Sequence, residues 1–158
     1  MRIVIVGAGK LGYSIAQLLA EDQYDVVVVE IDEKRREVVK NSLDVLTFGG
    51  NGCSPNTLDD PDIRDADVLI ASTDSDEVNM VTCMMAKNYG VKHTVARIRN
   101  TEYALTAKDL LNQGMNIDLI LNPERITATE INHILMTPSA LDVDDLLNQF
   151  NQISIEVG

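Results

Sequence analysis

The sequence predicts a doubly wound α/β sheet of six parallel strands in the order 3-2-1-4-5-6. Six short apolar runs recur along the 158 residues, at 3–6, 26–29, 45–48, 68–71, 94–98 and 117–121. They are continuous rather than alternating, the pattern of strands covered on both faces. The stretches between them carry helical spacing. The first run leads straight into Gly7-Ala8-Gly9-Lys10-Leu11-Gly12, a Gly-x-Gly-x-x-Gly turn, and helical apolar positions follow at Leu11, Ile15, Leu18 and Leu19.

Strand, glycine turn and helix in that order are the context a dinucleotide-binding turn requires. Gly7 permits the tight turn, Gly9 lets backbone approach a pyrophosphate, and Gly12 lets the helix pack closely on the strand. The helix start then offers free N–H groups and a positive dipole end to phosphates. A turn of this kind belongs at the switch point of the sheet, where ligands bind.

Glu30 closes the second strand, 18 residues after Gly12. An acid there accepts hydrogen bonds from ribose hydroxyls and repels a 2′-phosphate. NAD or an adenine nucleotide is therefore favoured over NADP. Lys34, Arg35 and Arg36 could hold a 2′-phosphate or form a solvated helix face, and the motif favours the second. Asp32 suits the cap of the second helix. The third strand runs into Gly49-Gly50-Asn51-Gly52-Cys53-Ser54-Pro55. This loop reads either as backbone close to a ligand or as a flexible turn. At the ligand edge of the sheet, contact with adenosine is the favoured reading.

The fourth strand ends in Ser72-Thr73-Asp74-Ser75-Asp76-Glu77-Val78-Asn79. Its acids do not fit a calcium loop, because Val78 and Asn79 occupy positions needing an oxygen ligand and a glycine. Thr73 and Asp76 have capping-box spacing, so a helix starts here. On that helix Val78, Val81 and Met85 share one face, and Gly90 stands where a C-terminal cap belongs. The fifth strand carries Arg97 and Arg99 on one face and Ile98 on the other. These arginines serve phosphates or the surface. Tyr103, Ala107, Leu110 and Leu111 share a face of the next helix, and Gly114 marks its end. Asn122-Pro123 reads as the start of a helix over 123–136.

The strand–helix unit is thus complete near residue 122. A crossover helix and linker are expected over 123–140. Residues 141–158 read as the start of a further lobe or a truncated tail.

A net charge of −12 argues against nucleic acid and against direct contact with an anionic membrane. Cys53 and Cys83 are far apart with no CxxC spacing, which fits a reduced cytoplasm. No stretch approaches the roughly 20 apolar residues of a membrane span. Catalysis has little support: His93 and His133 are isolated, Cys53 has no activating partner, and no metal-ligand spacing is visible. The chain is also short for a dehydrogenase with its own substrate domain.

With these residues assembled, the chain resembles the N-terminal lobe of RCK domains (regulators of K⁺ conductance), also called TrkA-N, from Met1 to about residue 136. The glycine turn, Glu30, Gly50-Asn51-Gly52, Thr73-x-x-Asp76-Glu77-x-Asn79 and Ala96-Arg97-Ile98 carry the resemblance. The chain has Asn51 where the family often has Asp. The resemblance implies a Rossmann-like fold and a non-enzymatic regulatory subunit of a Trk/Ktr potassium-uptake system. That subunit would be cytoplasmic and peripheral at the inner face of the membrane. It would bind NAD(H) or ATP/ADP and form homo-oligomeric rings built from dimers beneath a membrane-embedded transporter subunit. The implied nucleotide residues are Gly7, Ala8, Gly9, Lys10, Leu11 and Gly12 for phosphates, Glu30 for ribose, and Asn51, Gly52 and Cys53 near adenosine. Thr73 and Asp74 would line the nucleotide, and Arg97 would reach its phosphates. Lys10 would also meet the γ-phosphate bound by a neighbouring subunit. The other reading of the same residues is the cofactor domain of an NAD-dependent oxidoreductase.

Overall fold

The first strand, β1 (Arg2–Val6), lies inside the sheet because both its edges are paired. Val4 stands opposite Val27 of β2 (Asp25–Glu30) and opposite Leu69 of β4 (Val68–Ala71). Beyond β2 lies β3 (Leu46–Gly49). Beyond β4 lie β5 (His93–Arg97) and β6 (Leu119–Leu121). All pairs are parallel, and the order is the expected 3-2-1-4-5-6. This computed structural model describes residues 1–111 and 117–122. The expected cap at Gly114, the crossover helix and linker over 123–140, and the segment 141–158 lie outside the described residues.

Alternation along each strand feeds two cores. Ile3, Ile5, Val26 and Val28 point to one face with Ile15 and Leu19. Val4, Val6, Val27 and Val29 point to the other with Ile63 and Cys83. Helix α1 (Lys10–Glu21) seals the first face through Gly12, Ile15, Ala16 and Leu19. Burying one such Ile or Leu side chain is worth about 1.5–3 kcal/mol, so the continuous apolar strands account for the sheet's place at the centre.

Helix α2 (Glu33–Ser42) starts as expected: the Asp32 carboxylate accepts the Arg35 N–H at 2.9 Å. The link from β3 to β4 holds two short helices absent from the sequence reading, α3 (Pro55–Leu58) and α4 (Pro61–Arg64). Each begins with proline, whose missing N–H costs nothing at a helix start. Helix α5 (Asp76–Tyr89) ends at Gly90 in the left-handed region, φ +117°, as its cap position required. Helix α6 spans Thr101–Leu111.

Two local readings change. The cap of α5 is Ser75, whose hydroxyl accepts the Val78 N–H at 3.2 Å, and not a Thr73–Asp76 box. Asp76 turns instead to the start of α6, where its carboxylate accepts the N–H groups of Arg99 and Asn100. The face that α5 buries is Asn79, Thr82, Cys83 and Ala86, while Val81 is 44% exposed. Small residues let the helix come close to β4 and β5, and close packing outweighs apolar character at those positions.

Candidate functional site

At the ligand edge of the sheet, the tips of β1, β2 and β4 surround an open cleft. Gly7, Glu30, Asn51, Gly52, Thr73 and Asp74 all line it. On the other side of the glycine turn, Ala8, Gly9 and Lys10 line a second recess with Tyr13, Ser14 and Arg35. Leu11 packs on the core from the first turn of α1, and Gly12 is buried beneath it.

The glycine turn performs three separate tasks. Gly7 has φ +97°, which a side chain would strain. At Gly12 a Cβ would run into the Gly7 carbonyl and the Ser72 hydroxyl, so only glycine lets α1 approach the turn this closely. At Gly9 a Cβ would meet nothing within 4 Å, so the space there is open. No side chain caps α1 and no acid stands in its first turn. The starts of α2, α4 and α5 are each capped by a side chain. An open, uncapped helix start beside glycine backbone fits an anion: the first N–H groups lack intrahelical acceptors, and the dipole favours negative charge. The structure thus provides a cradle that suits the diphosphate of a nucleotide.

Glu30 is only 4% exposed, yet it borders the cleft. Its carboxylate accepts the Ala8 N–H at 2.6 Å and the Asp32 N–H at 2.9 Å, one on each oxygen. Carboxylate oxygens together have about four lone-pair positions, so capacity remains for ligand hydroxyls. The same side chain therefore holds the turn and faces the cleft.

The loop after β3 packs closely on neighbouring side chains. A Cβ on Gly52 would strike Val6, one on Gly49 the Arg36 guanidinium, and one on Gly50 would stand 2.7 Å from the Thr57 hydroxyl. Gly52 is thus held tight against Val6, whereas the Arg36 tip beside Gly49 can move aside, and Gly50 and Gly52 also line the cleft. Asn51 remains at the cleft and its Oδ1 accepts the Cys53 N–H at 2.9 Å. Cys53 is not among the cleft-lining residues; its thiol stands 3.6 Å from the Val78 carbonyl and 3.2 Å from the Thr82 hydroxyl on α5.

Strand β5 ends at Arg97, so Arg99 lies just beyond the strand that was expected to carry both. Both brace the turn after β4: Arg97 Nη1 donates to the Thr73 carbonyl at 3.0 Å, and Arg99 Nη2 to the Asp74 carbonyl at 2.7 Å. Arg97 is not among the cleft-lining residues. Its Nε is buried without a hydrogen-bond partner among the described residues. Ile31, Val78 and Ser75 also line the cleft, and the sequence reading assigned them no ligand role. Asn79, part of the segment that carries the resemblance, has no role assigned by the sequence pattern. Its signal was a polar residue on the buried face of a helix, four residues before Cys83.

The profile of the TrkA-N domain family matches residues 3–123. The chain is 36% identical over 160 residues to a protein of Haemophilus influenzae named Trk system potassium uptake protein TrkA. That match covers 99% of this chain and 34% of the relative, so the chain spans about a third of the relative's length. The crystal structure of the TrkA-N domain of inner membrane protein ybaL from Escherichia coli has the same fold. Its TM-score is 0.68 at 16% identity, over 78% of this chain and 88% of that one. The GsuK channel bound to NAD is similar with a TM-score of 0.64 at 17% identity, over 78% of this chain and 22% of that one.

Proposed function

The chain belongs to the TrkA-N domain family, and from that premise we propose that it is the nucleotide-sensing lobe of a potassium-uptake regulatory subunit. The observation that carries the reading is the uncapped start of α1 behind an open Gly9, with Glu30 buried at the adjoining cleft. In this reading the lobe binds NAD(H) or ATP/ADP. The N–H groups at Gly9, Lys10 and Leu11 meet the phosphates, Glu30 meets ribose, and Asn51 and Thr73 meet the nucleoside. Lys10, at the mouth of its recess, is free to meet a further phosphate, including one held by a second copy of the chain.

The likeness to Trk potassium uptake proteins supports action by binding rather than catalysis. Among the described residues no three His, Cys, Asp or Glu side chains group as metal ligands. Glu30 accepts the Ala8 and Asp32 N–H groups, and the Thr73 hydroxyl is held by the Asn79 side chain and the Ser75 backbone. None of the described helices is long and apolar enough to cross a membrane. The same likeness supports a place at the cytoplasmic face, in a dimer-based ring attached to a membrane-embedded transporter subunit. A ligand shifts such an assembly only through unequal affinity for two ring shapes. Phosphate number supplies that inequality if Lys10 meets the last phosphate in one shape only.

Thermal unfolding with NAD, NADH, NADPH, ATP and ADP tests this. A ligand at about 100 times its dissociation constant adds roughly 2.7 kcal/mol of stability. Stabilisation by NADH or by ATP and ADP, with NADPH weakest, is expected. Unequal shifts by ATP and ADP favour a sensor. A response to NAD(H) alone favours the cofactor domain of an oxidoreductase. No response to any of them would overturn nucleotide binding by this chain.

A further inference from the structure

Asn79 is fully buried in the first turns of α5, and every hydrogen-bonding position of its amide is engaged. Its Oδ1 accepts the Thr73 N–H at 2.9 Å and the Thr73 hydroxyl at 2.6 Å. Its Nδ2 donates to the Thr73 carbonyl at 3.1 Å and to the Arg97 carbonyl at 2.8 Å. The orientation of the amide is unambiguous, because an N–H demands an acceptor and two carbonyls demand donors. One side chain thus clamps the tip of β4 to the tip of β5.

The clamp also decides the polarity of the Thr73 hydroxyl. A hydroxyl has one proton and two lone pairs. The proton points to Asn79 Oδ1, which at 2.6 Å is much the shorter contact, the Ser75 carbonyl standing at 3.3 Å. One lone pair receives the Ser75 N–H at 3.3 Å. One lone pair remains. Thr73 lines the cleft, and the ionisable residues lining that cleft are Glu30 and Asp74, both acids. Arg97 and Arg99 direct their guanidinium groups to the carbonyls of the turn. This side of the site is therefore rich in acceptors.

We propose that Asn79 is a positioning residue of the nucleotide site: it takes the Thr73 hydroxyl proton, so that Thr73 meets the nucleoside as an acceptor. The inference rests on the nucleotide reading above and deepens it. The partner at Thr73 is then a donor, a sugar hydroxyl or an exocyclic amine. Phosphate oxygens, which need donors, are left to the start of α1 across the glycine turn.

The test is the affinity of the 158-residue chain for ADP and for its 2′-deoxy, 3′-deoxy and 6-deamino analogues, by calorimetry. One analogue lacks the donor that Thr73 accepts and should bind the parent about five- to tenfold more weakly than ADP. Thr73→Val should lose about that factor on ADP and no longer distinguish that analogue, while Thr73→Ser restores the distinction. Asn79→Ala leaves the hydroxyl proton only the 3.3 Å contact with the Ser75 carbonyl, so the distinction should shrink to less than half. The inference is overturned if folded Thr73→Val binds all four ligands as the parent does. It is equally overturned if folded Asn79→Ala weakens all four by one factor with the distinction intact. If the parent binds none of them, the underlying nucleotide reading falls, and this inference with it.

Discussion

Glu30 Oε2 lies 2.6 Å from the backbone nitrogen of Ala8, which ties the end of β2 to the glycine turn that follows β1. Oε1 holds the Asp32 N–H that opens the way into α2. A residue placed by motif as a ligand contact is therefore also a structural brace. Glu30→Gln keeps the shape but offers one acceptor where two N–H groups need one each. Leaving a buried donor unmet costs about 1–3 kcal/mol. Chemical denaturation of the variant should show a loss in that range, and ADP affinity should drop about tenfold or more. A variant as stable as the parent would show that the brace contributes nothing.

Gly9 and Gly12 should separate binding from folding. Gly9→Ser adds a capping hydroxyl in open space, so stability should hold or rise by a few tenths of a kcal/mol. The new hydroxyl occupies N–H groups that a phosphate would use, so nucleotide affinity should fall. Gly12→Ala drives a Cβ into the Gly7 carbonyl and should cost about 1–3 kcal/mol before any ligand is added. Equal melting curves for the two variants would contradict this division.

Asp67 should govern part of the acid limb of stability. The Lys92 ammonium first, and then the Arg2 N–H, hold its carboxyl below the usual carboxylate range. Such a group contributes fully above its unfolded pKa of about 3.9, and the contribution disappears as pH falls through the lower folded value. Melting temperature plotted against pH should therefore fall less steeply below about pH 4 in Asp67→Asn than in the parent. An unchanged slope would mean that these contacts are absent in solution.

The two cysteines should react in separate phases. Cys83 is fully buried between α5 and the sheet, and burial pushes its thiol pKa far up. Cys53 is partly exposed in the loop after β3. A thiol reagent should modify one equivalent in the native protein, and the second only after unfolding. Rapid release of both would show that the α5 face opens readily.

The strand order and the glycine turn were legible in the sequence for a physical reason. Strands buried on both faces must be apolar throughout, and a phosphate turn leaves little choice but glycine at fixed spacing. Asp32 and Gly90 were legible because helix ends have local chemistry. Between residues 72 and 79, by contrast, five polar side chains compete for the same helix start. Spacing alone does not tell Ser75 from Thr73 as the cap, or reveal that Asp76 crosses to α6. The same holds for Gly49, Gly50 and Gly52, whose neighbours Arg36, Thr57 and Val6 are brought to them only by the folded chain. The sequence by itself determined the sheet, its order and the edge at which a ligand belongs, because these follow from local periodicity and backbone freedom. The tertiary structure decided which way each polar group points. Asn79 joins β4 to β5 and commits the Thr73 proton because donors and acceptors distant in the chain meet at one buried amide.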